Sequence, residues 1–405
     1  MSEPGARGAP AGRHYEMDWL RIGAFMLLIL YHVGMFFVPW GWHVKTAEPV
    51  EWAAIPMLAT SAWRLALLFV VSGYASAALF AKDRRIGRFL GDRSGRLLVP
   101  LLFGMALVCA PQPWVELQFK HGYADGFWAF WRRDYFRFGE LDGLMLPTWQ
   151  HLWFVAYLWV YTLALALLLL LPRALRSALQ GAAERAFAGG LVLGVPLALL
   201  ALRLWLGWPG AEETHDLVGD GYAHTLYLPL FLFGYFLRGA EAPWRGIRRY
   251  WPVALALSLA AYAVVAAIEF TWPGTTRPPT GFIALFAGAR IVQAWGAIVG
   301  LIGLADRYWN RDHRWRRTLT EAVFPFYIVH QTVIVLVGWY LLPARLPAWV
   351  EFAVLVAATV AGCWAFYLGG RAITPLRPLI GLRLKKRHSA TGPRRPRSEA
   401  KGAGV

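Results

Sequence analysis

Hydrophobic residues in this chain come in long blocks rather than short periodic patches. Read in windows of about 20 residues, the length a helix needs to cross a bilayer, the blocks fall near 17–38, 52–80, 94–111, 149–171, 187–206, 223–240, 250–270, 282–304, 319–342 and 348–369. The pattern predicts an all-α fold, a polytopic transmembrane helical bundle of about ten spans. It divides the chain into a disordered cytoplasmic N-terminus over 1–16, a transmembrane domain over 17–370 and a basic cytoplasmic tail over 371–405. The first block is span length and lacks a small-residue cleavage site, so it reads as a retained helix rather than a signal peptide. The longest interruption, 112–148, is rich in Trp, Phe and Tyr. It reads as an external loop that lies along the membrane interface or caps the bundle.

Composition agrees with this pattern: 58% of residues are hydrophobic, 15% aromatic and only 16% charged, ordinary for a membrane protein and odd for a globular one. Two cysteines, Cys109 and Cys363, lie inside apolar runs and read as packing residues, and no spacing suggests a metal site. A net charge of +17 raises a nucleic-acid reading, but the basic residues alternate between loops instead of sharing a face. Lys and Arg collect after span two, around Arg173–Arg185, Arg238–Arg249 and Arg307–Arg317, and in the tail; the loops between are poorer, and one carries Glu212, Glu213, Asp216 and Asp220. This asymmetry places both termini in the cytoplasm of an inner-membrane protein, with the 112–148 loop as its one exception. Nucleic acid is excluded as a partner; membrane lipid is expected, with the tail drawn to anionic headgroups.

Within that frame a few ionisable residues stand out. His32 interrupts IGAFMLLILYHVGMFFV, and a titratable group in hydrocarbon is costly enough to suggest function. Arg21 precedes it by eleven residues, about 16 Å nearer one membrane face at the helical rise. His330, in FPFYIVHQTVIV, enters from the same side to a similar depth, which favours a shared polar cavity. For each histidine a neutral, hydrogen-bonded packing role is the competing reading. Arg93 and Arg96 share one helix face before span three, suited to phosphate or simply to topology. Arg64 and Arg290 sit well inside spans two and eight, where a guanidinium needs a cavity, a partner or an anion. Glu269, Glu321 and Asp306 are candidate partners. Ser72-Gly73 reads as a close helix contact, and Trp153-Phe154 after His151 as part of an aromatic belt.

Taken together, Arg21-x10-His32, Phe69-x-x-Ser72-Gly73, Arg93-x-x-Arg96, His151-Leu-Trp-Phe154 and Tyr327-x-x-His330 resemble the membrane acyltransferase-3 family, and within it the glucan O-succinyltransferase type. Phe324-Pro325 stands where that family often has Ser-Tyr. The resemblance implies a transmembrane acyltransferase that moves an acetyl or succinyl group from cytoplasmic acyl-coenzyme A to a hydroxyl of an extracytoplasmic glycan. It implies His32 and His330 as catalytic residues, and Arg21, Arg93, Arg96, Arg64, Arg290 and Trp153 as substrate- or donor-binding ones. Acyl-coenzyme A is then a substrate; no permanently bound cofactor is expected. A neutral histidine suits either general-base activation of the hydroxyl or transient acylation. The alternative is a transporter or flippase for an anionic or glycan substrate, which should show broken helices or paired half-repeats.

Overall fold

The computed structural model describes residues 14–206 and 213–384. The expected N-terminal segment up to residue 13, Glu212 and the basic tail from residue 385 lie outside the described residues. The chain folds as α1 (Tyr15–Met35), α2 (Ala54–Ser61), α3 (Arg64–Lys82), α4 (Ile86–Phe103), α5 (Pro111–His121), α6 (Phe127–Arg133), β1 (Gly139–Leu141) and β2 (Leu144–Leu146). It continues through α7 (Trp153–Leu170), α8 (Arg173–Ala186), α9 (Val195–Trp205), α10 (Gly221–Leu237), α11 (Glu241–Thr271), α12 (Thr280–Tyr308), α13 (Arg314–Leu341) and α14 (Ala348–Ala372). The only strands among the described residues form one hairpin, its turn made by Asp142 and Gly143, both at positive φ, as two-residue hairpins prefer. The protein is an all-helical, multi-pass membrane bundle.

Among the described residues, eight helical stretches are long and apolar enough to span a bilayer. The two remaining apolar blocks also become helices, but short ones: α9 has 11 residues and α10 has 17. Gly189, Gly190, Gly194 and Pro196 fragment the first block. In the second, the Asp220 side chain caps α10 by accepting from the Ala223 amide at 2.9 Å. Short as it is, α10 packs closely along α3. A Cβ on Gly73 would meet the Phe231 carbonyl oxygen at 1.8 Å, and one on Gly234 would meet that of Val70 at 1.9 Å, so the small residues of both helices permit the crossing.

Two boundaries differ from the expectation. The segment read as a loop from 112 begins as helix α5, because Pro111 opens a helix rather than ending one. The tail read from 371 folds back through 384: Ile380 and Leu382 are buried beside Phe326 and Tyr367, and Arg377 donates to the Arg371 and Arg383 carbonyls. Between α4 and α5 the backbone widens into a π-helical turn, Gly104–Val108, a feature that frees carbonyls from the helical ladder. Side chains accept that role: Tyr135 donates to Met105 O (2.6 Å), Trp131 to Ala106 O (2.8 Å) and Thr332 to Val108 O (2.6 Å). The Tyr135 and Trp131 bonds fasten the 123–148 cap to the bundle, and the Thr332 bond ties the turn to α13. At the centre runs α13, with 72% of its span window buried, against 28% for α11 and 22% for α14.

Candidate active site

His32 and His330 meet. Their helices pack side by side, and His32 Nδ1 lies 2.8 Å from His330 Nε2. The protons in this pair follow from the neighbours. His330 Nδ1 is 2.7 Å from the Tyr327 carbonyl, which only accepts, so that nitrogen carries the proton. Neutral His330 therefore presents a lone pair at Nε2, and His32 Nδ1 donates to it. The remaining nitrogen of His32, Nε2, is then the unprotonated one. His330 is fully buried, while the half-buried His32 lines a cavity of about 820 Å³. His32 rests on Trp42, with ring centroids 5.5 Å apart and nearly parallel.

His151 completes a cluster of three imidazoles, its ring centroid 4.9 Å from that of His330. Its Nε2 donates to the Tyr327 and Ile328 carbonyls at 3.0 and 3.1 Å, which leaves Nδ1 as an acceptor, buried and without a partner. The hydroxyl of Tyr327 donates to the His151 carbonyl in return.

Sequence reasoning missed a second buried network on the same cavity. His43 Nδ1 donates to Glu116 at 2.5 Å, and Glu116 also accepts from Lys120 at 2.5 Å. The Gln331 amide donates to His43 Nε2 (3.0 Å) and to Gln112 (2.9 Å), and Gln112 donates to Thr332 (2.7 Å). Gln112 and Glu116, four apart on α5, were hidden by reading that stretch as loop; their spacing on a helix face was the available signal. His43, a lone polar residue in a short connection, offered none.

Trp153 lines the cavity, stacked on His215 with centroids 4.3 Å apart. Arg64 is buried with its guanidinium 3.4 Å from the centroid of the Tyr31 ring, while Tyr31 lies edge-on to His32 at 6.0 Å. Two of its nitrogens, Nε and Nη1, have no hydrogen-bond partner. Arg290 donates to the Ser61 hydroxyl at 2.9 Å. The acidic partners expected for these two arginines are engaged elsewhere: Asp306 with Arg248 at 2.9 Å, Glu321 with Arg371 at 3.4 Å, and Glu269 with the Gly274 amide at 3.1 Å.

Arg21, Arg93 and Arg96 gather at the other end of α1 and α4, near one another but away from the histidines. Arg21 has a loose contact with Asp18, 3.8 Å, and its Nε is buried without a partner. Arg93 Nε and Nη2 are likewise buried and unpaired. Arg21 and Arg93 thus hold spare donors next to Arg96, an arrangement chemically suited to an anion.

Fold and site together define the class: a multi-pass membrane bundle with a histidine-lined cavity at one end and a cationic site at the other. Comparison with known proteins identifies it. The family model described as an acyltransferase domain matches residues 14–368, nearly the whole described chain. The chain belongs to the acyltransferase-3 family, and it is an acyltransferase. It is similar to the glucans biosynthesis protein C of Escherichia coli O157:H7 (strain EC4115), 23% identical over 356 residues that cover 85% of this chain and 88% of the relative. The protein of the same name from strain 536 of Escherichia coli O6:K15:H31 is 23% identical over 359 residues, with the same coverage. No solved structure matches.

Proposed function

We propose that this enzyme transfers an acyl group from cytoplasmic acyl-coenzyme A to a hydroxyl of a glycan, a glucan in keeping with the relatives' name, on the far side of the inner membrane. The observation that carries this reading is His32, which lines the cavity, bonds to the buried His330 and lies on the same helix that bears Arg21 in the opposite cationic site. The coenzyme A phosphates bind at Arg93, Arg96 and Arg21, and the thioester reaches about 16 Å along α1 to His32. Both chain ends then lie in the cytoplasm.

In the reaction, His32 Nε2 takes the proton of the acceptor hydroxyl as its oxygen attacks the thioester carbonyl. The carbon–sulfur bond breaks, and the coenzyme A thiolate leaves with the proton that His32 held. His330 is a positioning residue: its Nε2 accepts from His32 Nδ1, so it fixes the tautomer and stabilises the imidazolium formed midway. Trp42 and Trp153 supply flat apolar faces of the kind on which sugar rings stack. Arg64, buried close to His32 with open donors, is suited to the terminal carboxylate of a succinyl donor, which an acetyl donor lacks.

The test is transfer of isotope from labelled acetyl- or succinyl-coenzyme A, supplied on one side of proteoliposomes, to glucan on the other. Covalent label on glucan supports the reading, and preference for succinyl supports the role of Arg64. Glucan or anion flux without covalent label would establish the transporter alternative instead.

A further inference from the structure

Apart from the histidine cavity and the Arg21–Arg93–Arg96 site, a second cleft of about 410 Å³ opens between the ends of α3 and α10 and the first turns of α8. Four arginines converge on it from three separate stretches: Arg84 after α3, Arg173 and Arg176 on α8, and Arg238 after α10. No Asp or Glu lines it. The nearest acid in sequence, Asp83, is already taken by Arg85 at 2.8 Å and by Arg88. Arg176 Nε is buried without any hydrogen-bond partner. Gathering four like charges with no counter-ion costs free energy, and an anionic ligand removes that cost.

The position of the cleft narrows the ligand. Each contributing stretch begins or ends within a few residues of a long apolar helix, so the cleft sits at the height of the membrane surface. Helix α8 has no fully buried residue, and Ala174, Leu175, Ala178 and Ala182 are exposed on it, beside Arg173 and Arg176. An apolar face next to cations is how a helix lies in a bilayer interface. The cleft wall adds Ala77, Phe80 and Ala81, apolar surface beside the guanidinium groups. Cations with adjoining apolar surface match an amphiphile whose head is a phosphate.

We propose that this cleft is a binding site for the phosphate of an anionic phospholipid headgroup. The reading does not depend on the acyl-transfer mechanism. The test is titration of the purified full chain in detergent with fluorescent phosphatidylglycerol. Competitors are unlabelled phosphatidylglycerol, phosphatidylcholine, inorganic phosphate and adenosine 3′,5′-bisphosphate. Unlabelled phosphatidylglycerol should displace the probe and phosphatidylcholine should not. The R173Q/R176Q double variant should bind the probe about 20- to 30-fold more weakly, as two surface cations at about 1 kcal/mol each imply. Arg185→Gln, on the same helix but outside the cleft, should bind normally. If the double variant does not fold, Arg84→Gln in the exposed connection carries the test with about a fivefold loss. Unchanged affinity in these variants overturns the proposal. So does equal competition by phosphatidylcholine, or more ready displacement by the nucleotide bisphosphate, which would make the cleft part of the donor site.

Discussion

The two ends of helix α1 treat their polar atoms in opposite ways. Around His32 every proton-bearing imidazole nitrogen has a defined partner: His330 bonds on both sides, His43 bonds on both sides, and His151 shares its proton between two carbonyls, with only its Nδ1 buried and unpaired. Around Arg21 and Arg93 the guanidinium nitrogens are buried and idle. A base must have its tautomer settled before the substrate arrives, because a hydrogen bond made in advance need not be organised during the reaction. An anion site must keep its donors open, because the ligand supplies their bonds. On the proposed mechanism the fixed end suits chemistry and the open end suits capture.

The largest effect should come from removing the base at the fixed end. His32→Gln keeps a hydrogen-bonding side chain but has no basic nitrogen near neutral pH. It should insert and bind donor normally, yet lose transfer by a factor of about 10²–10⁴. His330→Ala removes only the acceptor that supports the imidazolium. A hydrogen bond to a charged group is worth about 1.5–3 kcal/mol, so roughly a 10- to 150-fold loss is expected in turnover, with KM for the donor unchanged. Equal losses in the two variants would mean that the histidines act as one unit rather than as base and support. Near-normal turnover in His32→Gln would put the base elsewhere.

At the open end the sign of the effect should be reversed: affinity falls and chemistry does not. Arg93→Glu and Arg96→Glu should each weaken coenzyme A binding by at least the 10- to 150-fold that a charge-assisted bond of about 1.5–3 kcal/mol represents. Equilibrium binding of the donor measures this, and saturating donor should restore turnover. Unchanged binding in both would reduce this end to a topology signal.

Much of this contrast was legible in the sequence because it consists of outliers. An imidazole or guanidinium inside an apolar block is conspicuous whatever the fold, so His32, His330, Arg64 and Arg290 could be picked out singly. The matching depth of His32 and His330 pointed to a shared cavity, but their direct hydrogen bond was not legible, since it depends on the tertiary packing of α1 on α13. The Glu116–His43–Gln331 network was missed for a different reason. Pro111 and Pro113 look like helix terminators, and the π-helical turn at Gly104–Val108, which carries the helix on into α5, has no composition of its own. The spans followed the same logic: long blocks were placed well, whereas α9 and α10 depended on local breakers and caps.

The smallest expected effect tests whether the cap belongs to the fixed end. Its centre is Asp134, whose side chain is 5% exposed and accepts from Arg133 Nε at 3.0 Å and from the Tyr123 hydroxyl at 2.6 Å; Arg133 also reaches Asp125. Next to it, Tyr135 ties the cap to the π-helical turn, and Met145, Pro147 and Thr148 close the histidine cavity. The Arg133 hydrogen bonds hold the Asp134 carboxyl below the usual carboxylate range. A depressed folded value means that the stabilisation is complete above the unfolded value of about 3.9 and is lost as pH falls below it. Arg133 is 57% exposed, so solvent screening keeps the contribution of the pair small. Asp134→Asn should therefore lower the melting temperature at pH 7 by a few degrees at most, and the gap from the native protein should close as the pH is brought below about 4. Donor binding should be untouched, while KM for the glycan acceptor should rise if the cap shapes the cavity. A gap that persists unchanged at low pH would show that Asp134 acts through packing alone, and the cap would then owe its order to Tyr135 and Trp131.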